Sequence, residues 1–351
     1  MPEVQHRSKI EFNIWVEDKN SIDYYLMENQ FINCFTSVEV KYKTVYKDKT
    51  NGDHNYIVIP IENYSDLPES VSTRLTAFSR DNDIPIIFAC GSRNLTHWES
   101  IKFWYENNKI PNAKLFLNGL DSPEKNIIAV PSYISKLYNW YGPALEDEFL
   151  HAFSVLSEKI HFKLSMPFGK ITYTKKLVIK EILEQGLLDK LEPHDYWYTC
   201  HSDKEDLEQQ KLMVPQYNED SWWACYPWQQ KSTCLNLAIE DTSIPTITEH
   251  ILKPLMLGQP TVWVGHPKLI EQLHKLGFVT YPWMCYDFDY AGDIKQRIAA
   301  LVEEVERQTR RPDFINFIRK RSYWTNRKNK THFNKLAKED YCLEKFLAKI
   351  K

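Results

Sequence analysis

Glycine is scarce, at 10 residues in 351. None falls in a Gly-x-Gly-x-x-Gly or Gly-x-x-x-x-Gly-Lys-(Ser/Thr) pattern. The familiar glycine loops that cradle phosphates in dinucleotide- and ATP-binding proteins are therefore missing. The seven cysteines, at 34, 90, 200, 225, 234, 285 and 342, form no Cys-x-x-Cys pair. An odd, scattered set suits buried thiols in a reducing cytoplasm and offers no structural zinc site. No run approaches the ~18 apolar residues that a membrane span needs. The opening residues, MPEVQHRSKIEF, hold no apolar signal-peptide core, which argues against a membrane-anchored enzyme of Golgi type. A hydrophobic content of 43% and a mean hydropathy of -0.50 read as a soluble globular chain. Its 351 residues suffice for two domains with full cores.

What is present is clearest between Cys234 and Pro282. An apolar run, Leu235–Ile239, ends in two acids, Glu240 and Asp241. Thr246-Ile-Thr248-Glu249 has the spacing of a capping box, so a helix is expected there, with Gly258 as its stop. Thr261–Val264 reads as a short buried strand ending at Gly265. Pro267 is placed to open a second helix and Gly277 to close it. Strands and helices alternating this tightly imply a parallel sheet with right-handed crossovers. Ligands of such sheets bind beyond the carboxyl ends of the strands, where helix N-termini offer free N–H groups. Glu240, Asp241, Gly265 and His266 fall at those ends.

The N-terminal part alternates in the same way. Strands are expected at Ile10–Val16, Val38–Tyr46, Tyr56–Ile61, Ile84–Ala89, Ala113–Leu117 and Ile127–Val130. Helices are expected at Ser70–Arg80, Trp98–Asn107 and Ala144–Leu156, and Tyr133–Tyr141 reads as an aromatic loop. Trp222, Trp223, Tyr226 and Trp228 form an aromatic cluster that reads mainly as packing, with the lining of a sugar or base site as the alternative for some of its rings. Two halves of this kind, with a boundary near residue 160, make an α/β chain of two Rossmann-like domains.

Charge is unevenly spread. Between Glu306 and Lys338 eleven lysines and arginines meet two acids, a balance of +9 in a chain whose net charge is -3. Phe314, Phe317, Tyr323, Trp324 and Phe333 are interleaved with the cations. Such a face suits a polyanion, with Arg319, Lys320, Arg321, Trp324, Arg327 and Lys328 as candidate contacts. A helix that packs its aromatics inward and leaves its charges in water has the same pattern.

The segment from Leu235 to Gly265 also carries a resemblance. An apolar strand, an acid, a short loop, Thr-Glu, a helix, Gly-x-Pro and a further strand are similar to the donor-binding half of α-1,3-fucosyltransferases and, still more, to a group of phage-encoded glycosyltransferases. Upstream, FKLSMPFGKITYTK from Phe162 to Lys175, followed by LVIKEILEQGLLD, resembles the strand, basic loop and helix that open the same domain. The resemblance implies a GT-B layout, in which two Rossmann-like domains face a cleft. Residues 1–159 would be the acceptor side and 160–305 the nucleotide-sugar domain, with the basic helical segment 306–351 folding back over the cleft. It implies a UDP- or GDP-sugar as donor substrate, no further cofactor and no metal. The donor would be held by Glu240, Asp241, Thr248, Glu249, Gly265 and Lys175, where the family usually has Arg. The family's Lys after Glu249 is His250 here, and Lys253 is the substitute cation. The leaving diphosphate would be met by positive side chains and helix N-termini. The phage likeness makes DNA the acceptor partner, with a hydroxymethylated cytosine as target, in the host cytoplasm. No membrane partner is implied, and a monomer is expected. A general base is needed for the acceptor hydroxyl. Glu62 and Asp121 are the candidates, since each follows a strand end. Two other functions fit the same residues. One is a glycan or lipopolysaccharide transferase of fucosyltransferase type. The other, favoured by His250, is a non-catalytic nucleic-acid-binding protein.

Overall fold

A computed structural model describes residues 9–18, 23–45, 48–49, 52–61, 73–90, 110, 112–119, 124–141, 162–165, 173–187, 190, 233–240, 247–290 and 292–350. The chain divides into two units, one of residues 1–142, 242–247 and 335–351, the other of residues 143–241 and 248–334.

The first unit is built on six parallel strands. They are β1 (Ile10–Val16), β2 (Val38–Thr44), β3 (Asn55–Ile61), β4 (Ile86–Cys90), β5 (Ala113–Asn118) and β6 (Ile127–Val130). Their order is β2-β1-β3-β4-β5-β6, so the direction of winding reverses between β1 and β3. Composition explains the order. Central strands must bury both faces, and β4 reads IIFAC with every residue buried. Strand β2, VEVKYKT, alternates apolar and charged residues, as an edge strand with one wet face should. On one side of the sheet Trp15, Ile57, Ile59, Phe88, Leu115 and Leu117 form an apolar layer. On the other, Phe12, Phe31, Phe35, Tyr56, Phe116 and Phe346 pack edge to face, with centroid separations such as 5.2 Å for Phe31–Phe116.

Helices α1 (Tyr24–Gln30), α2 (Thr73–Asn82) and α3 (Tyr133–Tyr141) belong to this unit. Asp23 caps α1 by accepting from Leu26 N. The segment 133–141, expected as a loop, is helical. Ile134 and Leu137 sit one turn apart and are fully buried, while Ser132 is fixed through Asn118 Oδ1, which accepts from its N and Oγ. Aromatic richness had masked an ordinary amphipathic repeat. The expected helices at Trp98–Asn107 and Ala144–Leu156 and the Trp222–Trp228 cluster lie outside the described residues.

The last residues of the chain complete this unit. Helix α9 (Tyr341–Ile350) inserts Phe346 into the aromatic layer. Asp340, 1% exposed, holds it there: its Oδ2 accepts from Thr36 N, Ser37 N and Ser37 Oγ at 2.7–2.8 Å, and its Oδ1 from Leu343 N. Thr36 Oγ1 donates to Ala337 O at 2.7 Å.

The second unit carries a parallel sheet of order β7-β8-β9, from Phe162–Ser165, Thr233–Ile239 and Thr261–Val264. Around it run α4 (Tyr173–Glu184), α5 (Glu249–Leu257), α6 (Leu269–Lys275), α7 (Ile294–Thr309) and α8 (Phe314–Lys338), the last passing into the first unit at its end. Helix α5 stops where expected, with Gly258 left-handed at φ 69°. Helix α6 starts two residues later than Pro267 suggested, after Lys268 at φ 64°. Gly277 follows that helix at φ 91°, and a Cβ there would lie 2.5 Å from His332 Nε2, so only glycine fits. Among the described residues no helix is long and apolar enough to cross a membrane.

Candidate functional site

The carboxyl end of the second sheet collects charges that solvent does not reach. Glu240 follows β8 and is 3% exposed. Its Oε2 accepts from Thr248 Oγ1 at 2.7 Å and from Thr248 N at 2.9 Å. Thr248 is the N-cap of α5, its hydroxyl accepting from His250 N. The helix therefore begins at Glu249, one residue after its cap and not three as the capping-box spacing predicts; Thr246 lies outside the described residues. Glu249 stands at the first helical position, where the reciprocal bond of a box is out of reach. It is nevertheless buried, and it lies 3.7 Å from His250 Nε2.

Gly265, at the end of β9, is shaped by Glu240. A Cβ at position 265 would come within 2.7 Å of Glu240 Cβ and 3.2 Å of Leu269 Cδ2. The glycine lets two neighbouring strand ends converge while one of them carries the acid. Its value is this close approach rather than a contact of its own.

Lys175 in the first turn of α4 and Lys253 in α5 are buried in the same unit, as is Lys330 in α8. Lys253 lies one helical turn after Glu249, on the same face of α5. Buried ions are costly unless they are paired or serve a ligand. Four such groups, Lys175, Glu240, Glu249 and Lys253, come from elements that follow β7 and β8.

A second buried set follows β9 and escaped the sequence reading. Asp289, fully buried, accepts from Ile270 N at 2.9 Å and so anchors the first turn of α6. Arg297, in the first turn of α7, is 3.5 Å from Asp289 Oδ1. Burial pushes the Asp289 carboxyl up and the Arg297 guanidinium down, and their mutual attraction opposes both shifts. Burial, with help from Arg297, also lowers His266, which favours the neutral imidazole. Asp289 closes an Asp-x-Asp spacing with Asp287, and Asp81 and Asp83 form another. Both spacings are present in a chain for which no metal was expected. Asp289 is occupied by α6 and Arg297.

Of the remaining candidates, Glu62, Asp121 and Asp241 lie outside the described residues. Ile61 N, the last of β3, donates to Gln30 Oε1 at 3.0 Å, so the strand end before Glu62 is tied to α1. Lys320, Arg321, Trp324, Arg327 and Lys328 are exposed on α8. Arg319 is not among them; it is half-buried beside the Cys234 thiol, which burial pushes up to about 12 against the pull of Arg319. Arg307 and Arg310 are paired with Glu304 and Glu306, and Arg311 Nε donates to Gln308 Oε1.

No family model, no curated protein and no solved structure matches the chain.

Proposed function

We propose that the protein is a nucleotide-sugar-dependent glycosyltransferase of GT-B type. One observation carries most of the weight. Glu249 is buried at the first position of a helix whose cap is already made by Thr248 and Glu240. That carboxylate stands at the carboxyl end of a parallel sheet, where sugar or ribose hydroxyls would find an acceptor. In this reading Glu249 holds the donor's ribose or sugar. Lys175 and Lys253 meet the diphosphate and the charge that develops on it as the glycosidic bond breaks. Glu240, Thr248 and Gly265 set the corner in place. Glu62 or Asp121 takes the proton of the acceptor hydroxyl as that oxygen attacks the anomeric carbon, and the nucleoside diphosphate leaves. The proposed acceptor is a hydroxymethylated cytosine in DNA, supported by the resemblance and by the basic helix α8.

A donor screen tests the reading. A UDP- or GDP-sugar at about 100 times its dissociation constant should stabilise the fold by ~2.7 kcal/mol. Labelled donor is then offered to hydroxymethylated DNA, to plain DNA and to oligosaccharides. Transfer to oligosaccharides alone would move the acceptor to glycans. A chain that binds DNA but no nucleotide sugar would be the non-catalytic protein that His250 favours.

A further inference from the structure

Helix α8 carries eight lysines and arginines and no acid along its 25 residues. One side of it is committed. Ser322 Oγ accepts from Trp283 Nε1 at 3.2 Å, and Asn326 Oδ1 accepts from the Tyr281 hydroxyl at 2.7 Å. The Asn329 amide makes both bonds with the backbone of Val279, each 2.8 Å. Phe333 is fully buried on the same side. Residues spaced three and four apart share one face, so the opposite face is left to solvent. That face bears Lys320, Arg321, Tyr323, Trp324, Arg327 and Lys328.

Trp324 is 71% exposed and Tyr323 41%. The tyrosine meets the indole edge to face at 5.2 Å, and the Arg327 guanidinium lies 5.9 Å from the indole centroid. Among the described residues Lys320, Arg321, Arg327 and Lys328 are in no ion pair, unlike Arg307 and Arg310 just upstream. Two rings steadied among four exposed cations have the chemistry of a strand-binding platform: phosphates for the cations, base faces for the rings. Lipid is a poor fit, because no aliphatic side chain accompanies the rings on this face.

We infer that this face of α8 binds nucleic acid in which bases are unpaired. Inside a duplex each base face is covered by its neighbours, so an exposed indole can stack only on a base that has left the helix or was never in one. The inference deepens the proposed DNA acceptor and rests on it for its purpose. A transferase that works on a base must meet it out of the stack.

The test uses the whole chain and no sugar donor. Fluorescence anisotropy compares a labelled single-stranded oligodeoxynucleotide, the duplex of the same sequence and anionic phospholipid vesicles. The single strand should bind at least about 10-fold more tightly than the duplex, with log-log salt dependence near -0.7 per phosphate contact. Trp324→Ala should weaken single-strand binding by about 5- to 100-fold and leave the duplex little changed. Arg321→Glu with Arg327→Glu should weaken both and flatten the salt slope. Preference for duplex or vesicles, or a Trp324→Ala variant that binds single strands like wild type, would overturn the inference. Donor-induced thermal stabilisation is measured on the same proteins. If donor stabilises all of them while no oligonucleotide binds, the inference fails and the transferase reading stands. If oligonucleotides bind as expected and no donor stabilises, the platform is upheld without the enzyme.

Discussion

Glu240 and Glu249 are both buried acids at one strand end, yet they should respond to mutation in opposite ways. Glu240 is architectural. Its Oε2 receives the hydroxyl and the backbone N–H of Thr248, which is itself 0% exposed. Hydrogen bonds to a charged partner contribute about 1.5–3 kcal/mol each, and a stranded buried donor costs a comparable amount. Glu240→Ala should therefore cost about 3–5 kcal/mol, a large share of a typical 5–15 kcal/mol. Thr248→Ser keeps both donors and the cap, and should cost under about 1 kcal/mol. Thr248→Val keeps the N–H but loses the hydroxyl and the cap, and should fall between the two. Glu249→Gln, by contrast, should change stability little and abolish most donor binding. The assay is urea unfolding followed by tryptophan fluorescence, with donor titration on each folded variant. If Glu240→Ala unfolds within about 0.5 kcal/mol of wild type, the Thr248 bonds do not organise this corner. If Glu249→Gln binds donor normally, the acid serves the helix and not a ligand.

Other expectations follow from single contacts. Lys175→Ala should lower turnover by roughly 10²-fold or more if the ammonium meets the leaving diphosphate, and unchanged turnover assigns it to the fold alone. Asp340→Ala strands three donors of residues 36 and 37 and uncaps α9, so it should cost at least about 3 kcal/mol; Asp340→Asn should recover more than half. Burial raises the Glu304 carboxyl, but the bidentate Arg307 fork, Gln308 Nε2 and Cys285 N outweigh it and leave it net depressed. A depressed folded value means stability that is present above the unfolded value, about 4.3, and lost as pH falls below it. Glu304→Gln should thus flatten the acid limb of a stability-against-pH curve, and an unchanged limb would refute the assignment.

The strands were legible because their signal is local. Ile10–Val16, Ile127–Val130 and Thr261–Val264 fall where β-branched runs placed them, and Gly258 and Gly277 end helices where only a left-handed residue could. What was misread depended on partners far along the chain. Two threonines precede α5, and spacing alone chose Thr246. The deciding bond comes from Glu240, eight residues upstream on a strand end. Arg297 looks like a surface cation of an amphipathic helix until Asp289 is found beside it. Arg319 sits in a run of three cations, and only the packing of α8 shows that it turns inward while Lys320 and Arg321 do not. Tyr323 was counted among the aromatics but not as a contact, since sequence gave no sign of the indole it steadies.

The placement of Phe346 has a temporal consequence. The aromatic layer on the first sheet is built from residues that leave the ribosome early, but the ring that fills it and the aspartate that clasps it arrive only after the second unit has been made. At ordinary synthesis rates that interval is on the order of 10–40 s. Until then the nascent sheet exposes Phe12, Phe31, Phe35, Tyr56 and Phe116 to whatever else is sticky nearby. A chain released at Asn334 should hold its first unit in a protease-sensitive state, and a peptide of residues 335–351 added in trans should restore resistance; resistance without the peptide would contradict the idea. The first half of this protein to be translated is then the last to be finished.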